Sequence, residues 1–224
     1  MKRIYLIATW ILLVFFFSLQ SLHAATVHFA DFGITGKKGS YEAEITYASL
    51  DDLQAILTVE LTNTSNHPST GFITALAFNN PNDQITGVVL NSTNDNFSLI
   101  GQADFRDGIA VSPYGSFDIG ASIAGGTKDQ WLGGKNPALG IGIGRTDIFT
   151  FTLSGTGLSA LDEQSFLDTL SFPDQKKSAS FAVRFRGNDN DMDTNPGPPV
   201  PLPPSVMLLG AGLLGLISLR KKSS

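Results

Sequence analysis

The sequence predicts an all-β fold, a two-sheet β-sandwich of jelly-roll type, from three observations. Apolar and polar residues alternate with period two in segment after segment, clusters of turn-forming residues separate those segments, and helical periodicity is confined to one short stretch. Residues 27–32 open the series. Tyr41, Ala43, Ile45 and Tyr47 then oppose Glu42, Glu44 and Thr46, and Leu57, Val59 and Leu61 oppose Thr58, Glu60 and Thr62, as on strands with one buried and one wet face. Residues 72–78 are apolar on both parities, the pattern of a central strand covered on both sides. Residues 85–90, 97–100 and 117–123 follow, and then Phe149, Phe151 and Leu153 oppose Thr150, Thr152 and Ser154. Phe181, Val183 and Phe185 against Ala182, Arg184 and Arg186 form the last of about nine strands. Asn- and Pro-rich clusters at 63–68, 79–83 and 91–96 supply the turns. The one helical stretch is 159–170, with Leu161, Phe166, Leu167 and Leu170 on one face and Ser159 as its expected N-cap.

Composition agrees with a packed core. Of 224 residues 42% are hydrophobic and 16% charged, so the chain is too apolar to stay disordered. Between the two ends described next about 175 residues remain, enough for one sizeable core, and the sandwich domain is placed at 25–190.

Residues 1–24 read as a secretory signal peptide: Lys2 and Arg3 precede an uncharged apolar run at 4–17, and Leu22-His23-Ala24 gives a small-residue cleavage site. A Pro-rich linker, 191–205, leads to 206–219, an uncharged run of 14 residues with Gly210, Gly212 and Gly215. At ~1.5 Å per residue that run spans about 21 Å, and counting back to Val200 brings it to about 30 Å, near the thickness of a bilayer core. Arg220, Lys221 and Lys222 in the 220–224 tail then act as a stop-transfer signal, with the tail in the cytoplasm and the body outside.

Val200, Pro201, Leu202, Pro203, Pro204 and Ser205, followed by a Gly/Leu-rich helix and a basic end, resemble the PEP-CTERM sorting signal of Gram-negative bacteria that make exopolysaccharide. Leu202 stands where the family consensus has Glu, a Val-Pro-Leu-Pro variant. The resemblance implies recognition by an exosortase, a membrane-embedded cysteine transpeptidase, and removal of the tail near the motif. Consecutive prolines favour an extended conformation with no internal hydrogen bonds, which suits a protease substrate. Residues 130–187, with Trp131, Gly140-Ile141-Gly142-Ile143-Gly144, Phe149-Thr150-Phe151-Thr152-Leu153 and Phe181-Ala182-Val183-Arg184-Phe185, resemble, less specifically, the cohesin-like sandwich body of small proteins of this kind.

The sequence excludes several chemistries. With no cysteine there is no disulfide framework, thiolate zinc site, iron–sulfur cluster or Cys nucleophile. Five of the fifteen Lys and Arg residues sit at the extremities, so residues 25–199 hold ten basic residues against all 20 acidic ones, which argues against nucleic acid as a partner. There is no Gly-x-Ser-x-Gly elbow, and His28 and His67, the only imidazoles after the signal peptide, fall on a strand surface and in a turn. Asp51-Asp52, Glu42/Glu44 and Asp162-Glu163 are carboxylate pairs with structural explanations: a turn, a solvated face and a helix N-terminus. Asp189, Asp191 and Asp193 alternate as calcium ligands do, but without the glycine and twelfth-position acid of an EF-hand they read first as a solvated acidic linker and only second as a calcium loop. Trp131 and Tyr114, in loops, either stack on sugar rings or cover the edge of the core. The expectation is an exported, non-catalytic structural or adhesive protein of the cell surface or biofilm matrix. It needs no cofactor, or calcium at most. Its partners are an exosortase, the membrane and extracellular polysaccharide. The alternatives are a carbohydrate-binding module and a glycan-active enzyme.

Overall fold

The structure is a computed structural model that describes residues 26–31, 39–66, 71–124, 130–134, 136–171, 178–187 and 200–201. The signal peptide, His67, the acidic run Asp189, Asp191 and Asp193, Leu202, Pro203, Pro204, Ser205, the 206–219 segment, Arg220, Lys221 and Lys222 lie outside the described residues.

The alternating segments form strands. In chain order they are β1 (Thr26–Asp31), β2 (Tyr41–Ser49), β3 (Gln54–Asn63), β4 (Phe72–Phe78), β5 (Ile85–Ser92) and β6 (Ser98–Ile100). Two short strands, β7 (Ile109–Ala110) and β8 (Ser116–Phe117), precede β9 (Ile119–Ser122), β10 (Thr146–Gly155), β11 (Phe181–Arg186) and β12 (Val200–Pro201). One sheet has the order β12-β1-β2-β3-β10-β5 and a second the order β11-β4-β9-β6, and all pairings are antiparallel. The fold is all-β and sandwich-like.

Register follows from the pleat. With β2 against β3 and β3 against β10, Ile45, Val59 and Phe149 align in one row and Tyr47, Leu57 and Phe151 in the next. Every one of these is buried, while Glu42, Glu60 and Thr152 on the other face are exposed. A shift of one residue would turn the whole set outward, so burial fixes the pairing. The buried face meets Ile73, Leu76, Phe78, Ile119, Phe181, Val183 and Phe185 of the second sheet in one apolar cluster. Rings interlock across the gap: Phe78 stands edge-on to Phe151 at 5.0 Å between centroids, and Tyr41 lies between Phe181 and Phe185 at 6.3 and 6.5 Å. The edge-to-face pair of Phe78 and Phe151 adds to simple burial because ring edge and ring face carry opposite partial charge.

The second sheet is covered on its outer side as well. Ala75, Ala77, Ile100, Ile109, Val111, Tyr114, Phe117, Trp131, Ala179 and Ala182 form a second apolar cluster, built largely from the β7–β8 hairpin and the turn around Trp131. This corrects the reading of 181–185 as a strand with one wet face. Ala182, a member of that cluster, is 2% exposed, and Arg184 is 3% exposed. The expectation for 72–78 holds, since six of its seven residues are buried.

The helix is shorter than expected. It is α1 (Glu163–Asp168), and its N-cap is Asp162 rather than Ser159. Asp162 accepts from the Ser165 amide at 2.8 Å while the Ser165 hydroxyl receives the Asp162 amide, a reciprocal capping box. Ser159 instead donates to Asp52 Oδ1 at 2.6 Å, tying the β2–β3 turn to the segment after β10. The first residue of α1, Glu163, is buried and accepts the Tyr47 amide at 2.9 Å, while the Tyr47 hydroxyl donates to the Leu158 carbonyl at 2.6 Å.

These contacts make a direct expectation. Phe151→Ala, which empties the centre between the sheets, should cost about 3–5 kcal/mol, whereas Thr152→Ala on the exposed face of the same strand should stay within about 0.5 kcal/mol. Urea unfolding of the two variants decides it, and equal losses would mean that the sheets do not meet on the Phe151 side.

Candidate functional site

A concavity lies at the end of the sandwich where β4 stops. Directly after Phe78 the chain presents Asn79 and Asn80, which are 1% and 3% exposed. The two amides reach opposite ways. Asn79 Nδ2 donates to the carbonyls of Thr169 at 2.9 Å and Ala179 at 3.1 Å, joining the end of α1 to the approach of β11. Asn80 Oδ1 accepts the Ile85 amide at 2.9 Å, and its Nδ2 donates to the carbonyls of Ile85 at 2.9 Å and Phe105 at 3.3 Å. One side chain thus serves both backbone groups of the residue that opens β5. Buried backbone groups at a strand end lack ladder partners, and these amides supply them.

A carboxylate completes the arrangement. Asp118, between β8 and β9, accepts the Asn80 amide on Oδ2 at 2.8 Å and the Asp107 amide on Oδ1 at 2.5 Å, and it is 9% exposed. Gly101 packs against it with φ of 130°, a conformation open to glycine, and an added Cβ would stand 2.5 Å from the Asp118 carbonyl oxygen. Around Asp118 the backbone is unusual. Among the described residues the non-glycine positions with positive φ are Asn82 (52°), Asp83 (56°), Phe105 (50°) and Asp107 (49°), all on the two loops that Asn80 and Asp118 tie together. Asn and Asp tolerate this left-handed region, whereas for Phe105 it is strain held by the surrounding contacts.

The loops enclose a groove of about 520 Å³ whose lining includes Asp83, Arg106, Asp107, Asp118, Thr169 and Ser178. Arg106 Nε lies 3.5 Å from Asp83 Oδ1, and both side chains are more than half exposed, so the pair contributes about 0–1 kcal/mol. Burial pushes the Asp118 carboxyl above its ordinary range, the neighbouring Asp107 and Asp83 carboxylates push the same way, and the two amide donors resist. Asp118 is committed to backbone, while Asp83, Arg106, Asp107 and Ser178 offer acceptors and donors to the opening. Among the described residues no three His, Asp or Glu side chains are placed to hold a metal ion.

The residues singled out by sequence fall elsewhere. Trp131 and Tyr114 are 6% and 7% exposed within the second apolar cluster, so their rings cover the second sheet and neither turns a face to solvent. Trp131 Nε1 has no hydrogen-bond partner among the described residues. Asp51 Oδ1 accepts the amides of Leu53 and Gln54 at 2.7 and 2.8 Å, and Asp52 accepts from Ser159, so both are turn residues. Val200 and Pro201 form β12 beside β1, the strand that also carries His28. The groove itself escapes a reading of the sequence because 79–83 has the composition of an ordinary turn. The available signal is a pair of asparagines following a strand apolar on both parities, where a polar side chain has only backbone to bond.

The folded-state pKa of Asp118 lies above the ordinary 3.8, so the folded chain holds that proton more tightly than the unfolded chain. The resulting stabilisation is complete below the ordinary value and is lost as pH rises through the folded-state value. Asp52 and Asp162, held below the usual range by Ser159 and Ser165 respectively, work in the opposite sense, but identically in wild type and an Asp118 variant. Relative to Asp118→Asn, the wild type should therefore gain stability between about pH 7 and about pH 4. Urea unfolding at both pH values measures the difference, and a flat or inverted difference overturns the assignment.

No protein-family model matches the chain, and no curated protein or solved structure matches it either, so function is read from its own residues.

Proposed function

We propose that the protein is exported, held briefly in the inner membrane by 206–219, processed by an exosortase at Val200-Pro201-Leu202-Pro203-Pro204-Ser205, and delivered to the cell surface or exopolysaccharide matrix. There the body, a jelly-roll or cohesin-like sandwich, has a non-catalytic structural or adhesive role. The observation that carries this reading is the ordered C-terminal triplet of proline motif, apolar run and basic end. Each part has a physical task. The apolar run partitions into the bilayer, Arg220, Lys221 and Lys222 each resist translocation by about 2.5–3.5 kcal/mol, and the arrested chain presents the motif at the membrane surface.

Replacing Pro201 and Pro203 together by alanine should leave full-length precursor in the inner membrane of the producing cell and abolish the released form. Mass spectrometry of the extracellular protein gives the decisive readout. A C-terminus within or next to the motif supports the proposal, and an intact Ser223-Ser224 end refutes it.

A second reading, a carbohydrate-binding module, is favoured by the groove at Asn80 and Asp118, whose free groups are both donors and acceptors. On a glycan array that includes the producer's own polysaccharide, binding that falls at least tenfold in Arg106→Ala, about 1.4 kcal/mol, would establish it. Binding unaffected by Arg106→Ala, or no binding, would leave the structural role.

A further inference from the structure

The strand β1 is flanked on both sides. Six residues, from Thr26 opposite Thr46 to Asp31 opposite Tyr41, pair with β2. On its other flank Phe29 lies opposite Pro201 and Ala30 opposite Val200. The first two residues of the proline motif are therefore the terminal strand of the larger sheet.

The proline explains how they can be. Successive N–H groups of a β-strand point to alternate edges, so the donor that Val200 keeps and the donor that Pro201 lacks belong to opposite edges. The edge on the Pro201 side keeps its carbonyl acceptor and has no donor there. Antiparallel neighbours alternate between pairs that exchange two hydrogen bonds and pairs that exchange none. Ala30–Val200 suits the first kind, and Phe29–Pro201 must be the second because Pro201 has no donor. Such a strand can join a sheet only as its last member, and the missing donor on its outer edge then weakens pairing of the sheet with another chain. Direction adds a further point. β12 runs toward the Thr26 end of β1, so the chain leaves Pro201 within three residues, about 10 Å, of where the body begins.

We infer that the motif has a second role, as the edge strand that closes β1, and that Val200 and Pro201 stay with the body when the tail is removed, the cut falling after Pro201. The location of the cut rests on the proposed processing, whereas the edge-strand role does not. A cut before Val200 would strip β12 and expose a strand edge on a protein destined for a crowded surface.

The lack of native cysteine makes the test clean. In the full chain, expressed in its producing cell, Ala30→Cys with Val200→Cys should form a disulfide on oxidation. Directly opposed Cβ atoms lie within reach of one, while a diagonal pair such as His28→Cys with Val200→Cys, about 7–8 Å apart, does not. The expected cross-linked fraction is at least about tenfold higher for the opposed pair, and the released body should carry the disulfide with Val200 present. Pro201 is retained in these variants, and the reduced form of each reports whether it folds. Equal cross-linking of the two pairs, or none in a folded opposed variant, overturns the edge-strand role. A released C-terminus before Val200 overturns the retention. A released protein still ending in Ser224 defeats the sorting reading and the retention with it, and the cross-link then judges the edge strand by itself.

Discussion

The structure depends on what surrounds Phe78. Its ring stands edge-on to Phe151 of the facing sheet, at 5.0 Å, and to Phe166 of α1, at 5.9 Å, so one side chain at the end of β4 joins both sheets and the helix. No disulfide or described metal site shares that task. Two faces of alternating residues must find each other, and the cohesion comes from apolar area removed from water together with ring geometry. The rows Ile45–Val59–Phe149 and Tyr47–Leu57–Phe151 only have somewhere to go because β4 and β11 bring a second apolar face.

Immediately beyond Phe78 the same strand end has the opposite problem. Its neighbours are buried backbone groups whose ladders have stopped, and each left bare would cost about 1–3 kcal/mol. Asn79, Asn80 and Asp118 answer them, and in doing so they hold two loops in left-handed conformations around an open groove. Asn63 does similar work elsewhere, donating to the carbonyls of Gly71 and Ile141 at 3.1 and 2.9 Å. The groove is a by-product of satisfying a strand end, and the charged side chains along its rim are the part free to meet a ligand.

Edges are the remaining constraint on a sandwich that is not closed. On the larger sheet β1 ends opposite Thr46, and the next amide along β2, that of Tyr47, is taken by the Glu163 carboxylate from α1. Burial, with that carboxylate nearby, holds the Tyr47 phenol up to about 12, so it remains a hydrogen-bond donor at any physiological pH. The outer flank of β1 is met by Val200 and Pro201. A helix residue and a proline strand thus protect successive parts of one edge.

The sequence by itself determined the fold class and most strand positions, because burial against one flat face writes a period of two directly into residue order. The segments around Tyr41–Tyr47, Leu57–Leu61 and Phe149–Leu153 are legible for that reason. The proline motif and the apolar run are also legible, since their chemistry is local. What only the tertiary structure decided is anything that depends on distant partners. Arg184 looks like a solvent-facing residue in sequence, yet it is buried. Trp131 and Tyr114 are loop aromatics that the sequence leaves between stacking on a sugar and covering the core, and the second apolar cluster buries them. Ser159 has the composition of an N-cap, but Asp52, 107 residues away, takes its hydroxyl. Asn80 falls in a turn cluster and Asp118 within the 117–123 segment, and their partnership spans 38 residues. Local periodicity records whether a residue is buried against its own sheet, while a second covering layer and long-range hydrogen bonds leave no regular spacing in the chain.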